Sequence, residues 1–117
     1  MADGPLALVE SHLDAFNRAD LDAVMAGFAD DAVFSIGDQT AIGTRAIRSL
    51  FAASMSSPVA ARLELARVVL DGDTAACELV EELTVEGATH AIEMAAFYTA
   101  RRGRLVRVRI YRDLPTG

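Results

Sequence analysis

The first half of the chain repeats its apolar residues at a helical period, and the second half alternates apolar and polar residues like strands. Leu6, Val9, Leu13 and Phe16 fall on one helical stripe, with Asp3-Gly4-Pro5 as its start. Asn17-Arg18-Ala19-Asp20 interrupts that stripe, and Asp20 is placed to cap a second short helix over Leu21 to Phe28. Asp30-Asp31 ends that helix, and Ala32 to Ile36 reads as a short strand. Gly37-Asp38-Gln39 then makes a turn. Gly43-Thr44 opens a third helix from Arg45 to Met55, with Ile47, Leu50, Phe51 and Met55 on its apolar side. Beyond Pro58, the turns Asp71-Gly72-Asp73, Glu86-Gly87-Ala88 and Arg101-Arg102-Gly103 mark off four strands near 61–70, 74–85, 89–100 and 104–112. Helices first and strands afterwards predict an α+β domain, with three N-terminal helices packed on one face of an antiparallel meander.

Composition narrows the chemistry. The 117 residues suit one domain, 1–117, and 52% apolar content supplies a core. All 11 cations are Arg, so Schiff-base and phosphate-loop lysine mechanisms are excluded. One Cys excludes an internal disulfide, and two His with one Cys make a poor zinc ligand set. No metal and no organic cofactor are therefore expected. Residues 1–100 carry 5 Arg and 16 acids, while residues 101–117 carry 6 Arg against Asp113 alone. The acidic body argues against nucleic acid as the main partner, and leaves the Arg-rich end as a local interaction surface. No basic start followed by an apolar run marks a signal peptide, and no apolar stretch is long enough to span a membrane. The expected location is cytoplasmic.

Three phrases carry a family resemblance: Ala15-Phe16-Asn17-Arg18-Ala19-Asp20-Leu21-Asp22, then Phe28-Ala29-Asp30-Asp31-Ala32-Val33-Phe34, then Gly43-Thr44-Arg45-Ala46-Ile47-Arg48. With the element order, they resemble the nuclear transport factor 2-like superfamily, in its SnoaL-like polyketide cyclase and ketosteroid isomerase branch. The resemblance implies a cystatin-like cone, in which a curved sheet and three helices enclose an apolar cavity. It also implies a homodimer through the outer sheet face. The superfamily holds isomerases, cyclases, epoxide hydrolases, dehydratases and non-catalytic modules, so fold alone does not choose among them.

Carried over residue by residue, the resemblance gives an incomplete catalytic set. The Tyr of ketosteroid isomerases falls on His12, which can donate a hydrogen bond or shuttle a proton. Their base falls on Ile36, with Asp38 two residues further on, and their second donor falls on Ala95. The final-strand Asp of limonene epoxide hydrolases falls on Ile110, and their Arg has no match. The family register points Glu78, Val80 and Glu82 inward, together with Glu93, Ala95, Phe97 and Thr99, and Val106, Val108 and Ile110. Glu82 and Glu93 would then sit opposite each other, either as an acid and base pair or as solvated carboxylates at the open end of a hairpin.

The expected catalytic set is thus His12, Glu82, Glu93 and Asp38. The expected pocket wall is Phe16, Phe34, Ile36, Phe51 and Met55 from the first half, with Val80, Ala95, Phe97, Val108 and Ile110 from the strands. Arg107, Arg109, Leu105 and Tyr111 share the opposite, outer side, where Glu81 is also expected. Two functions fit: a cofactor-independent acid/base enzyme of isomerase, cyclase or dehydratase type acting on a hydrophobic carbonyl or hydroxyl compound, or a non-catalytic ligand-binding or dimerisation module.

Overall fold

A computed structural model describes residues 4–112. Asp3 and Asp113 lie outside the described residues. Three helices, α1 (Pro5–Asn17), α2 (Leu21–Ala26) and α3 (Thr44–Met55), pack on one six-stranded sheet. Its strands are β1 (Phe28–Ile36), β2 (Gln39–Ile42), β3 (Ala60–Asp71), β4 (Thr74–Val85), β5 (Ala88–Arg101) and β6 (Arg104–Arg112).

The strand order is β2-β1-β6-β5-β4-β3. The last four strands form the expected meander, but the sheet as a whole is mixed. β1 joins β6 in parallel, whereas every other neighbouring pair is antiparallel. The cause is topological. The β1–β2 hairpin sits at one end of the sheet and β3 at the other, with α3 as the connection between them.

Three local differences from the sequence pattern matter. Phe28 opens β1 instead of closing α2, and it is fully buried. Asp30 and Asp31 lie within β1, where five residues of β1 pass two of β6. Gln39 begins a short strand, β2, beyond the two-residue turn Gly37-Asp38.

The β4–β5 and β5–β6 turns are tight because both central residues take positive φ, and in the β1–β2 and β3–β4 turns the glycine alone does. Glu86 and Gly87 have φ of 50° and 82°, and Val85 pairs with Ala88 across them. That pairing sets the β4–β5 register: Glu82 faces Ala91 and Glu93 faces Val80, so the two Glu are not opposite each other.

α1 crosses β3 to β6 and buries Leu8, Val9, Leu13 and Phe16 against them. Its end is tied to the edge strand β3 by one side chain. Asn17 Nδ2 donates to the Leu63 carbonyl and Asn17 Oδ1 accepts from the Leu63 N–H, both at 2.8 Å. This satisfies two backbone groups that an edge strand would otherwise leave open.

Candidate active site

A cavity of about 460 Å³ lies between the helices and the sheet. On the sheet side it is lined by Leu63 of β3, Glu81 of β4, Met94 and Tyr98 of β5, and Ile110 and Arg112 of β6. The aromatic wall comes from Phe16 of α1, Phe34 of β1 and Phe51 of α3. Phe51 packs edge-on to both of the others, with centroids 6.1 Å and 5.1 Å away. Edge-to-face packing of this kind gives a rigid apolar wall.

Buried polar groups interrupt that wall. His12 is buried on α1, ringed by Phe28, Phe51 and Tyr98 at 5.5, 5.6 and 5.9 Å. Burial lowers its pKa from 6.5 to about 4, because the imidazolium would lose its hydration. His12 is therefore neutral at pH 7. Tyr98 of β5 has no exposed surface, and burial, with Cys77 nearby, holds its hydroxyl in the neutral donor form. Glu81 of β4 is only 5% exposed and pairs with Arg112 of β6. Arg112 Nη2 lies 3.0 Å from Glu81 Oε1 and donates to Oε2 at 3.2 Å. His12 Nδ1, Tyr98 Oη and Glu81 Oε1 are all buried without an aligned hydrogen-bond partner among the described residues. Leaving such groups unpaired costs about 1–3 kcal/mol each; Glu81 Oε1 has the Arg112 guanidinium 3.0 Å away, so His12 Nδ1 and Tyr98 Oη are the two that need an explanation.

One end of the cavity is polar. Gly37, Asp38 and Gln39 of the β1–β2 turn line it, with Ser54 of α3 and Arg112. Asp38 and Gln39 are exposed, so this end is the mouth.

Several expected residues do line the cavity: His12, Asp38, Phe16, Phe34, Ile36, Phe51 and Ile110. Val108 is buried on the same face of β6 as Ile110, in register with Tyr98, but is not part of the lining. Met55 packs against the core beside the cavity instead of lining it.

The β4 and β5 expectations are off by one residue, which turns every side chain over. Glu82, Glu93, Val80, Ala95 and Phe97 are on the outer face, and Phe97 is 43% exposed. Glu78 is exposed there as well, close to Arg67. The inward set is Cys77, Leu79 and Glu81 on β4, with Met94, Ala96 and Tyr98 on β5. Glu81, Tyr98 and Arg112 are thus the site residues that the family register missed. A β-bulge between Thr99 and Ala100 also changes β6, burying Leu105 and leaving Val106 half-buried. The signal for the correct face was on β4 itself: Ala75, Cys77 and Leu79 are apolar on one parity, while Glu78 and Glu82 occupy the other.

A model of the SnoaL-like domain matches residues 9–108. The chain belongs to the SnoaL-like family. Solved structures agree on the fold of this SnoaL-like domain. An LEH-like epoxide hydrolase from M. tuberculosis is 25% identical with a TM-score of 0.80, over 92% of this chain and 80% of that one. A candidate polyketide cyclase from Xanthomonas campestris pv. campestris is 28% identical with a TM-score of 0.80, over 92% and 88%. A nuclear transport factor 2-like protein from Burkholderia pseudomallei shares the fold at 21% identity, with a TM-score of 0.83 over 95% and 92%.

Among the described residues no group of three His, Cys, Asp or Glu side chains is placed to hold a metal ion. No described helix is long and apolar enough to cross a membrane.

Proposed function

We propose that this SnoaL-like domain binds a hydrophobic molecule bearing a carbonyl or hydroxyl and performs cofactor-independent acid/base chemistry on it. One observation carries the reading: two buried polar atoms without partners, His12 Nδ1 and Tyr98 Oη, border the same cavity as the buried Glu81 carboxylate. Tyr98, held neutral, donates a hydrogen bond to the substrate oxygen. Neutral His12 beside it carries an unpartnered Nδ1 that takes a proton from the carbon next to that oxygen. Glu81, at the other end of the cavity, accepts a hydrogen bond from a second group of the substrate. Arg112 holds that carboxylate in place, and Asp38 is a second acceptor at the mouth. Isomerisation, cyclisation and dehydration all need a base and a donor arranged in an apolar site. The sheet curls around the substrate as one wall of a cone.

The outer face supports a homodimer. Phe97 and Tyr111 are exposed there, edge to face at 6.1 Å, and the Arg109 guanidinium lies 4.9 Å from the Tyr111 ring centre. Aromatic residues and Arg are the types enriched at protein interfaces. The expected cytoplasmic location remains part of this proposal.

A specific observation favours the alternative of binding without catalysis. Tyr98 lies opposite Ala75 on β4, six residues from Glu81, so donor and carboxylate are far apart along the sheet. Incubation with α-tetralone in deuterium oxide separates the two readings. The enzyme reading predicts deuterium at the carbon next to the carbonyl faster than in buffer, with the gain lost in His12→Leu, which removes the acceptor beside Tyr98. Saturable binding with exchange no faster than buffer leaves the binding module. No binding by any aromatic carbonyl or phenol rejects both.

A further inference from the structure

The polar groups of the cavity stand at two ends, not around one point. On the helix-covered sheet face, Tyr98 lies in register with Val108. Arg112 lies in register with Met94, four residues away on β5. Glu81 lies opposite Ile92, six residues from Tyr98. At roughly 3.3 Å per residue, Arg112 is rooted about 13 Å from the Tyr98 position, and Glu81 about 20 Å. The row between carries Cys77, Ala96 and Ile110, none of which offers a strong hydrogen bond.

The two stations also differ in kind. The inner one, His12 with Tyr98, is buried and uncharged at pH 7. The outer one, Glu81 with Arg112, is charged and borders the mouth. Each contains a buried oxygen without an aligned partner.

We propose that the ligand is elongated and carries two polar groups: a neutral oxygen held by Tyr98 and His12, and a hydroxyl at the far end that donates to Glu81. An apolar body of two or more rings spans the stretch between them, against Phe51 and Ile110. This rests on the cavity being the functional site. It adds the length of the substrate and the chemistry of its second end. The outer group is not an anion, because a ligand carboxylate would meet Glu81 and Asp38.

Biphenyl, its mono-para-phenol and its di-para-phenol test this by calorimetry on the wild type, Tyr98→Phe and Glu81→Gln, with thermal unfolding to show that both variants fold. The diphenol binds the wild type about tenfold more tightly than the monophenol, the effect of one charge-assisted hydrogen bond. Tyr98→Phe returns the diphenol to the affinity of the monophenol, and Glu81→Gln, which removes the charge and keeps a carbonyl acceptor, weakens it severalfold. The monophenol tolerates at least one of them, because it can turn end for end. A diphenol no tighter than the monophenol, or one unaffected by either substitution, overturns the two-ended ligand and leaves the cavity as a site for one polar group. If none of the three binds, the cavity reading falls with it.

Discussion

His12 should make this protein lose stability as pH falls from 6.5 to 4. In the folded chain its pKa is lowered from 6.5 to about 4 by burial among Phe28, Phe51 and Tyr98. In the unfolded chain it returns to the ordinary value near 6.5. Between those values the unfolded state binds a proton that the folded state refuses, so stability rises with pH across the window. Above 6.5 His12 contributes no slope, and below about 4 its penalty is complete. At roughly 1.4 kcal/mol per pKa unit the full penalty is about 3 kcal/mol.

The perturbation that isolates this is His12→Leu, which keeps the approximate volume and removes the titrating group. Other groups also titrate in this range, so the informative quantity is the difference between variant and wild type. Urea unfolding followed by circular dichroism at several pH values measures it. Near pH 7 the variant should match the wild type within about 1 kcal/mol, because the lost ring packing offsets relief of an unpaired nitrogen. Near pH 4 it should be more stable than wild type by about 3 kcal/mol. A difference that stays constant from pH 7 to pH 4 refutes the burial argument. So does a wild type that gains on the variant as pH falls.

Other consequences follow from single contacts. Asn17→Ala removes both 2.8 Å hydrogen bonds to Leu63 and should cost about 2 kcal/mol in urea unfolding, with the hydrogen exchange of β3 accelerated first. Cys77 is buried, and burial raises its thiol pKa to about 11. Iodoacetamide at neutral pH should label it more than about a hundredfold slower in the folded protein than in urea, and equal rates would contradict its burial. If the outer sheet face joins two copies, Tyr111→Asp should sediment as a monomer under conditions where the wild type sediments as a dimer. An unchanged sedimentation coefficient would remove that face from the interface.

The three helices and the boundaries of β3 to β6 were legible because their apolar periods are clean and their turns carry Gly, whereas the start of β1 and the short β2 were not. Leu6, Val9, Leu13 and Phe16 could only be one face of a helix, and Glu86-Gly87 could only be a tight hairpin turn. His12 was legible through family resemblance, because it lies on a helix whose phase the apolar stripe sets. The strand half of the site was not. On β5 both faces are largely apolar, with Met94, Ala96 and Tyr98 against Ala95 and Phe97, so alternation there does not choose a face. β4 is less ambiguous, but two Glu of one parity and Glu81 of the other made the inward carboxylate hard to select. A burial preference alone would also send Glu81 outward, since carboxylates are rarely buried without a partner. That partner, Arg112, lies 31 residues away in sequence and meets Glu81 only through the sheet. The parallel pairing of β1 with β6 was hidden for a similar reason, because no local pattern records which strand a distant edge will join.

The central claim is that the unpaired polar groups of the cavity recognise a polar atom on a hydrophobic ligand. Comparing β-naphthol with naphthalene in the wild type and in the double variant Tyr98→Phe/Glu81→Leu tests it most directly, since a single substitution leaves the phenol the other end of the cavity. The account predicts that the wild type binds the naphthol about five- to tenfold more tightly, and that most of this preference is lost in the double variant. Equal affinities in the wild type, or a preference undiminished in the double variant, would contradict it.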